Sequence, residues 1–189
     1  HEFSENEWIK IKKKCVDEQI LFFSTPQNVS DLELLLKLNV ELIKVGSDDL
    51  TNLPLLQQFA STGLPIILSS GMSTLDEITD ALNTVGFFSG YPTILLVTTS
   101  QYPTPPKDVN LKKFVSLSEC FPDLLLGFSD HTIGTSIPLA SIALGACVIE
   151  KHFTLDKYLP GWDHQISANP TELKEIVEGG KNIQKSLGG

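Results

Sequence analysis

Cysteine is scarce in this sequence, and the three that occur form no pattern. Cys15, Cys120 and Cys147 are odd in number and far apart, so neither a disulfide framework nor a CxxC motif is present. Such thiols fit a reducing compartment and are expected to be buried structural residues. No apolar run approaches the roughly 20 residues of a membrane span. No signal-peptide pattern opens the chain either, since residues 1–19 are charged and helix-periodic. Positive charge is also in short supply: 14 Lys and Arg against 23 Asp and Glu leave a formal net charge of −9. That excludes a general binder of nucleic acid or of an anionic membrane. Any anion the protein holds must be met locally, by a lysine, a metal or backbone N–H groups. GxGxxG, Walker and GxSxG patterns are absent, which argues against a nucleotide-binding loop and a serine-hydrolase elbow. The expectation is a soluble cytoplasmic protein acting on small molecules.

What is present is a repeating alternation. The 189 residues, 41% hydrophobic, suffice for one sizeable core. Near-continuous apolar runs occur at 20–24, 41–46, 65–70, 93–99, 124–128 and 146–153, as expected of strands buried on both faces of a parallel sheet. Amphipathic stretches lie between them, at Asp31–Leu38, Leu53–Thr62, Ser73–Val85, Ser136–Leu144 and Pro170–Leu187. A further helix is expected over Glu2–Glu18. Strand then helix, repeated without a break in composition, predicts βαβ units. The polar residues choose between an open sheet and a barrel. They gather at the C-terminal end of all six runs, from Ser24-Thr25 through Glu150–Thr154. An open sheet concentrates its site at one switch point, whereas a barrel collects contributions from every strand end. The expectation is an α/β chain forming a (β/α)8 TIM-type barrel, incomplete, with about six βα units and the first two strands missing. It would be one partial catalytic-barrel domain over residues 1–189.

Four histidines occur. His131 and His152 each follow a predicted strand, in consecutive βα units, so both belong to one barrel mouth. Two imidazoles there can bind a divalent metal and leave positions open for substrate and water; the same residues serve equally as hydrogen-bonded rim histidines. His164 reads as a loop residue and His1 as terminal. Lys44 interrupts an apolar strand, where an ammonium is costly unless it reaches a polar mouth or an anion. Its alternative is a snorkelling lysine. Lys151 is expected outside the mouth or paired with an acid. Thr25, Ser47, Ser69 and Ser129 are ordinary singly, and together form a ring of donors suited to phosphate and carboxylate. The proline-rich turn after Ser100 holds Tyr102 on the rim, or is a plain turn.

Several segments, in order along the chain, resemble the N-acetylneuraminate (sialic acid) synthase family: Phe22–Pro26, Ile43–Ser47, Pro65–Met72, Tyr102–Pro105, Gly127–Thr132 and Glu150–Asp156. This family includes legionaminic and pseudaminic acid synthases. The resemblance implies a transferase on a (β/α)8 barrel that condenses phosphoenolpyruvate with an N-acetylated amino sugar such as N-acetylmannosamine, releasing phosphate. It implies a divalent ion, Mn2+ or Mg2+, on His131 and His152. It implies phosphoenolpyruvate binding by Thr25, Lys44, Ser47, Ser69, Ser100 and Ser129, with Asp49, Tyr102 and Asp163 contacting the sugar or moving protons. The full-length form is expected to be a homodimer with a C-terminal antifreeze-like domain, which is absent here. The chain departs from the family pattern at Asp48-Asp49, Gln101, Trp162 and the Val97-Thr98-Thr99 strand end. Two other readings use the same residues: a folded fragment that binds without catalysing, and a metal-dependent sugar-acid lyase or isomerase.

Overall fold

The structure, a computed structural model, describes residues 3–188. His1, the Glu2 start of the expected first helix and the Gly189 of the expected final stop lie outside the described residues. The chain divides into two compact units. One comprises the residues up to Leu68 together with Ser73–Thr93, the other Ser69–Met72 together with the residues from Ile94 onward.

The first unit contains α1 (Glu5–Asp17), α2 (Val29–Lys37), β1 (Ile43–Val45), α3 (Leu53–Ala60), β2 (Ile66–Ser69, its last residue in the other unit) and α4 (Leu75–Val85). β1 and β2 pair in parallel, Ile43 opposite Ile66 and Val45 opposite Leu68. Both strands are buried throughout, which explains why they read as unbroken apolar runs. Side-chain caps set the helix starts. Thr74 and Glu77 form a reciprocal capping box on α4, and Asn28 accepts the Asp31 N–H at the start of α2. α4 stops at Gly86, whose φ of +85° is a left-handed cap that favours glycine. α1, predicted over Glu2–Glu18, runs from the Ser4–Glu7 capping box to Asp17 and buries no residue.

The second unit contains β3 (Thr93–Thr98, its first residue in the other unit), α5 (Pro106–Val109), α6 (Lys113–Cys120), β4 (Leu125–Asp130), α7 (Ser136–Ala143), β5 (Ile149–Lys151) and α8 (Pro170–Leu187). β3, β4 and β5 pair in parallel in chain order. Gly127 sits in the middle of β4 because nothing larger fits: a Cβ there would lie 2.5 Å from Leu96 Cδ2 and 2.8 Å from the Val148 carbonyl. α8 starts at Pro170 behind an Asn169–Glu172 capping box.

Two expectations are corrected. The run at 20–24 is not a strand, so the described residues contain five strands rather than six. Its backbone link to β1 is a 3.4 Å bond from Lys44 N to Ser24 O, and a ladder needs repeated exchange of this kind. The cysteines are not buried: Cys120 and Cys147 are exposed and Cys15 is intermediate. Among the described residues no helix is long and apolar enough to cross a membrane.

Candidate active site

The β4–β5 register organises the chemistry of the second unit. Phe128 stands opposite Ile149, Ser129 opposite Glu150 and Asp130 opposite Lys151. Alternation sends successive pairs to opposite faces. The next step in the same register is His131 opposite His152, so the two imidazoles return to the Ser129–Glu150 face. Their ring centroids are 5.6 Å apart. Tyr102 packs against both, 4.0 Å from His131 in a tilted stack and 5.9 Å from His152 edge-on. Ser129 donates its hydroxyl to Glu150 Oε1 at 2.8 Å. Ser129, Asp130, Glu150, Lys151 and His152 line a cavity of about 180 Å³ at this end of the strands.

His131 is held on several sides. It is 7% exposed. Its Nδ1 lies 2.8 Å from the Thr99 carbonyl. A carbonyl only accepts, so Nδ1 carries the proton and Nε2 keeps its lone pair. Its own carbonyl accepts the Thr104 N–H at 2.9 Å. Burial pushes the His131 pKa below the usual imidazole range. The Thr99 hydrogen bond and the carboxylates of Asp130 and Glu150 act the other way, and His152 adds to the lowering. The ring therefore favours its neutral form more than a free imidazole does. His152 is held more loosely. Its side chain is 34% exposed, and its Nδ1 lies 3.8 Å from Asp163 Oδ2. Its carbonyl accepts the Ala168 N–H at 2.7 Å, which returns the 155–167 loop to the strand end.

The opposite face of the ladder carries a buried ion pair. Lys151 Nζ lies 2.6 Å from Asp130 Oδ2, with the two side chains 4% and 0% exposed. Lys151 also donates to the Thr132 carbonyl. The expectation that Lys151 pairs with an acid holds.

Of the residues singled out in the sequence, Tyr102, His131, His152 and Asp163 are brought together here. Ser129 stands beside them through Glu150. Ser69, at the end of β2, is buried, and Ser100 is half-buried. In the first unit, Lys44 is 6% exposed and its ammonium donates to the Val45 carbonyl at 2.9 Å. Asp49 accepts from Asn52 Nδ2 at 3.1 Å. Ser47 opens the short turn of helix Ser47–Asp49, and Thr25 is exposed. Glu150, the Thr99 carbonyl and Asp130 as the acid that pairs with Lys151 were not singled out. Equal spacing would have found Glu150, which stands two residues before His152 as Ser129 stands two before His131.

Two imidazoles alone would give a divalent ion two ligands and leave its other positions open. A metal about 2.1 Å from one nitrogen of each imidazole is compatible with this ring separation. Among the described residues no group of three or more His, Cys, Asp or Glu is placed to hold a metal ion. A closed structural site of four protein ligands is thus not formed by these residues.

The match to known proteins covers the whole sequence. The NeuB family model matches residues 1–189. The chain belongs to the NeuB family. It is 46% identical to the N,N'-diacetyllegionaminic acid synthase of Campylobacter jejuni subsp. jejuni, over 93% of this chain and 52% of that protein. The crystal structure of an N-acetylneuraminic acid (sialic acid) synthetase from Leptospira borgpetersenii serovar Hardjo-bovis, in complex with citrate, superposes with a TM-score of 0.94 at 39% identity, covering 100% of this chain and 65% of that one. A truncated 3-deoxy-D-arabino-heptulosonate 7-phosphate synthase from Thermotoga maritima shares the fold, with a TM-score of 0.83 at 18% identity over 100% of this chain and 74% of that one. This NeuB-family chain spans about half the length of the curated relatives it matches.

Proposed function

We propose that this NeuB-family chain supplies part of the active site of a synthase that condenses phosphoenolpyruvate with an N-acetylated amino sugar, giving a nonulosonic acid and phosphate. The observation that carries the reading is the pair of imidazoles, His131 and His152, side by side under Tyr102 at the ends of β4 and β5. The names of its relatives support it: legionaminic, N-acetylneuraminate-9-phosphate and pseudaminic acid synthases recur among them.

In this reading His131 and His152 hold a divalent ion, Mn2+ or Mg2+, through ring nitrogens. When bound, such an ion supplies Lewis acidity to the sugar aldehyde and acidifies water. His131 reaches that role with its Nδ1 proton committed to Thr99 and Nε2 free. Asp163 orients His152 and moves a proton at the sugar. Tyr102 sets the height of the sugar over the imidazoles, and Asp49 contacts it. Lys44, Thr25, Ser47, Ser69, Ser100 and Ser129 bind the phosphate and carboxylate of phosphoenolpyruvate, the lysine being the local cation that a chain of net charge −9 needs. C3 of phosphoenolpyruvate bonds to the aldehyde carbon, whose oxygen takes a proton. Water adds to C2, and phosphate leaves with cleavage of the C2–O bond, so that C2 becomes the ketone of the product. The full-length protein acts as a homodimer.

The test is phosphate release by the full-length protein from phosphoenolpyruvate, with Mn2+ and either N-acetylmannosamine or a 2,4-diacetamido sugar. Release that depends on both substrates is expected. No release with any sugar of this class sinks the reading.

A further inference from the structure

The buried ion pair of the second unit takes no part in the chemistry above, yet it costs desolvation that an apolar pair would not. Its placement suggests why it is there. Asp130 and Lys151 occupy the register position immediately before His131 and His152. Asp130 uses both carboxylate oxygens: Oδ2 receives Lys151 at 2.6 Å, and Oδ1 accepts the Thr132 N–H at 3.0 Å. Lys151 then donates to the Thr132 carbonyl. His131 is therefore bracketed, with Asp130 on one side and Thr132 on the other, both fastened to the residue that precedes His152. β5 has three residues and ends at Lys151, and Asp130–Lys151 is the last pair of its ladder with β4. The ion pair continues the register where the strand stops.

We propose that the Asp130–Lys151 pair, through its shared hold on Thr132, is a positioning device that fixes the orientation of His131 and its distance from His152. The proposal rests on the reading of the two histidines as metal ligands for its consequence, but not for its geometry. A charge pair serves this end better than an apolar pair. An apolar contact tolerates a slip along the strand, whereas a lysine bonded at once to a carboxylate and a carbonyl has one satisfied position. The pair is a positioning element; neither residue is given a catalytic role.

The test uses the full chain with isotopically labelled histidine and reads the metal-free protein first. The Nδ1–H of His131, donated to Thr99, gives a proton whose tautomer and exchange rate are measured by NMR. Asp130→Leu combined with Lys151→Met removes both charges at similar volume, so no buried charge is left uncompensated. The double variant is expected to melt cooperatively while exchange of the His131 proton speeds at least about ten-fold. Mn2+ affinity is expected to fall by about ten-fold or more, the usual effect of losing support behind a ligand. Lys151→Arg, which keeps the charge, is expected to recover most of the proton's protection. If the double variant does not fold, Asp130→Asn decides: it keeps the acceptor for Thr132 and loses the ion pair, and a smaller change in the same direction is expected. A merely structural role lowers the melting temperature and leaves the His131 proton unmoved. Exchange within two-fold of the parent in the folded variants overturns the proposal, even if the parent binds Mn2+. Conversely, a parent that binds no Mn2+ but shows the faster exchange in the variants overturns the metal reading and leaves the positioning role standing.

Discussion

The ends of β4 and β5 carry the same residue type in the same register, and they are built differently. His131 is enclosed: its ring bonds to Thr99, its carbonyl to Thr104, and the ion pair grips the residues on either side. His152 follows a three-residue strand, a third of its side chain is exposed, and its ring has a longer contact to a half-exposed aspartate. One imidazole is enclosed by the fold and the other is partly open to solvent. In the proposed site, the enclosed His131 would set where an ion sits and the more exposed His152 would complete its binding.

Replacing Lys151 with alanine tests the enclosed side most severely. It strands a buried carboxylate, and a loss of about 3–5 kcal/mol is expected from thermal or denaturant unfolding. A loss below about 1 kcal/mol would show that water reaches Asp130. Gly127→Ala probes the close packing of β4 beneath His131. The added Cβ meets Leu96 and the Val148 carbonyl below 3.0 Å, so about 1–3 kcal/mol should be lost. Next, His131→Ala and His152→Ala are expected to separate. Removing His131 orphans the Thr99 carbonyl and costs about 1–3 kcal/mol, while removing His152 costs about 0.5 kcal/mol or less. Both should abolish Mn2+ binding by calorimetry, and equal stability losses would erase the distinction drawn above. Asp163→Asn has the smallest structural effect. Unfolding should stay within about 0.5 kcal/mol, while Mn2+ affinity drops about ten-fold through the loosened His152.

Acid should act on the enclosed side as well. The folded His131 binds its second proton less readily than the unfolded chain does. Between its lowered folded pKa and the ordinary value of about 6.5, the unfolded state holds more protons, so stability rises with pH there. The contribution is complete above about pH 6.5 and is lost as pH falls through that window. His131→Gln should flatten this part of the stability–pH curve.

Much of the site was legible because parallel strands obey simple counting. His131 and His152 each follow an apolar run in consecutive units, and a shared register with a period of two is enough to place them on one face. The pairing of Lys151 with an acid followed from the same alternation. The run at 20–24 forms no strand for an equally physical reason. Its apolar, β-prone composition matches that of a strand, but a strand is defined by exchanged backbone bonds, and composition does not count partners. The cysteines misled similarly, since Cys120 ends α6 and Cys147 lies just before β5, where exposure is set by tertiary neighbours.

By itself, the sequence determined the alternation of strands and helices, the capped helix starts and the two histidines at neighbouring strand ends. These follow from local propensity and periodicity, which each segment carries alone. Tertiary structure alone decided that His131 donates to Thr99, that Glu150 faces Ser129, and that Asp130 and Lys151 meet in the interior. Those contacts join residues 21 or more positions apart. Their geometry depends on the closeness of β3, β4 and β5, which the Gly127 gap permits and no single segment encodes.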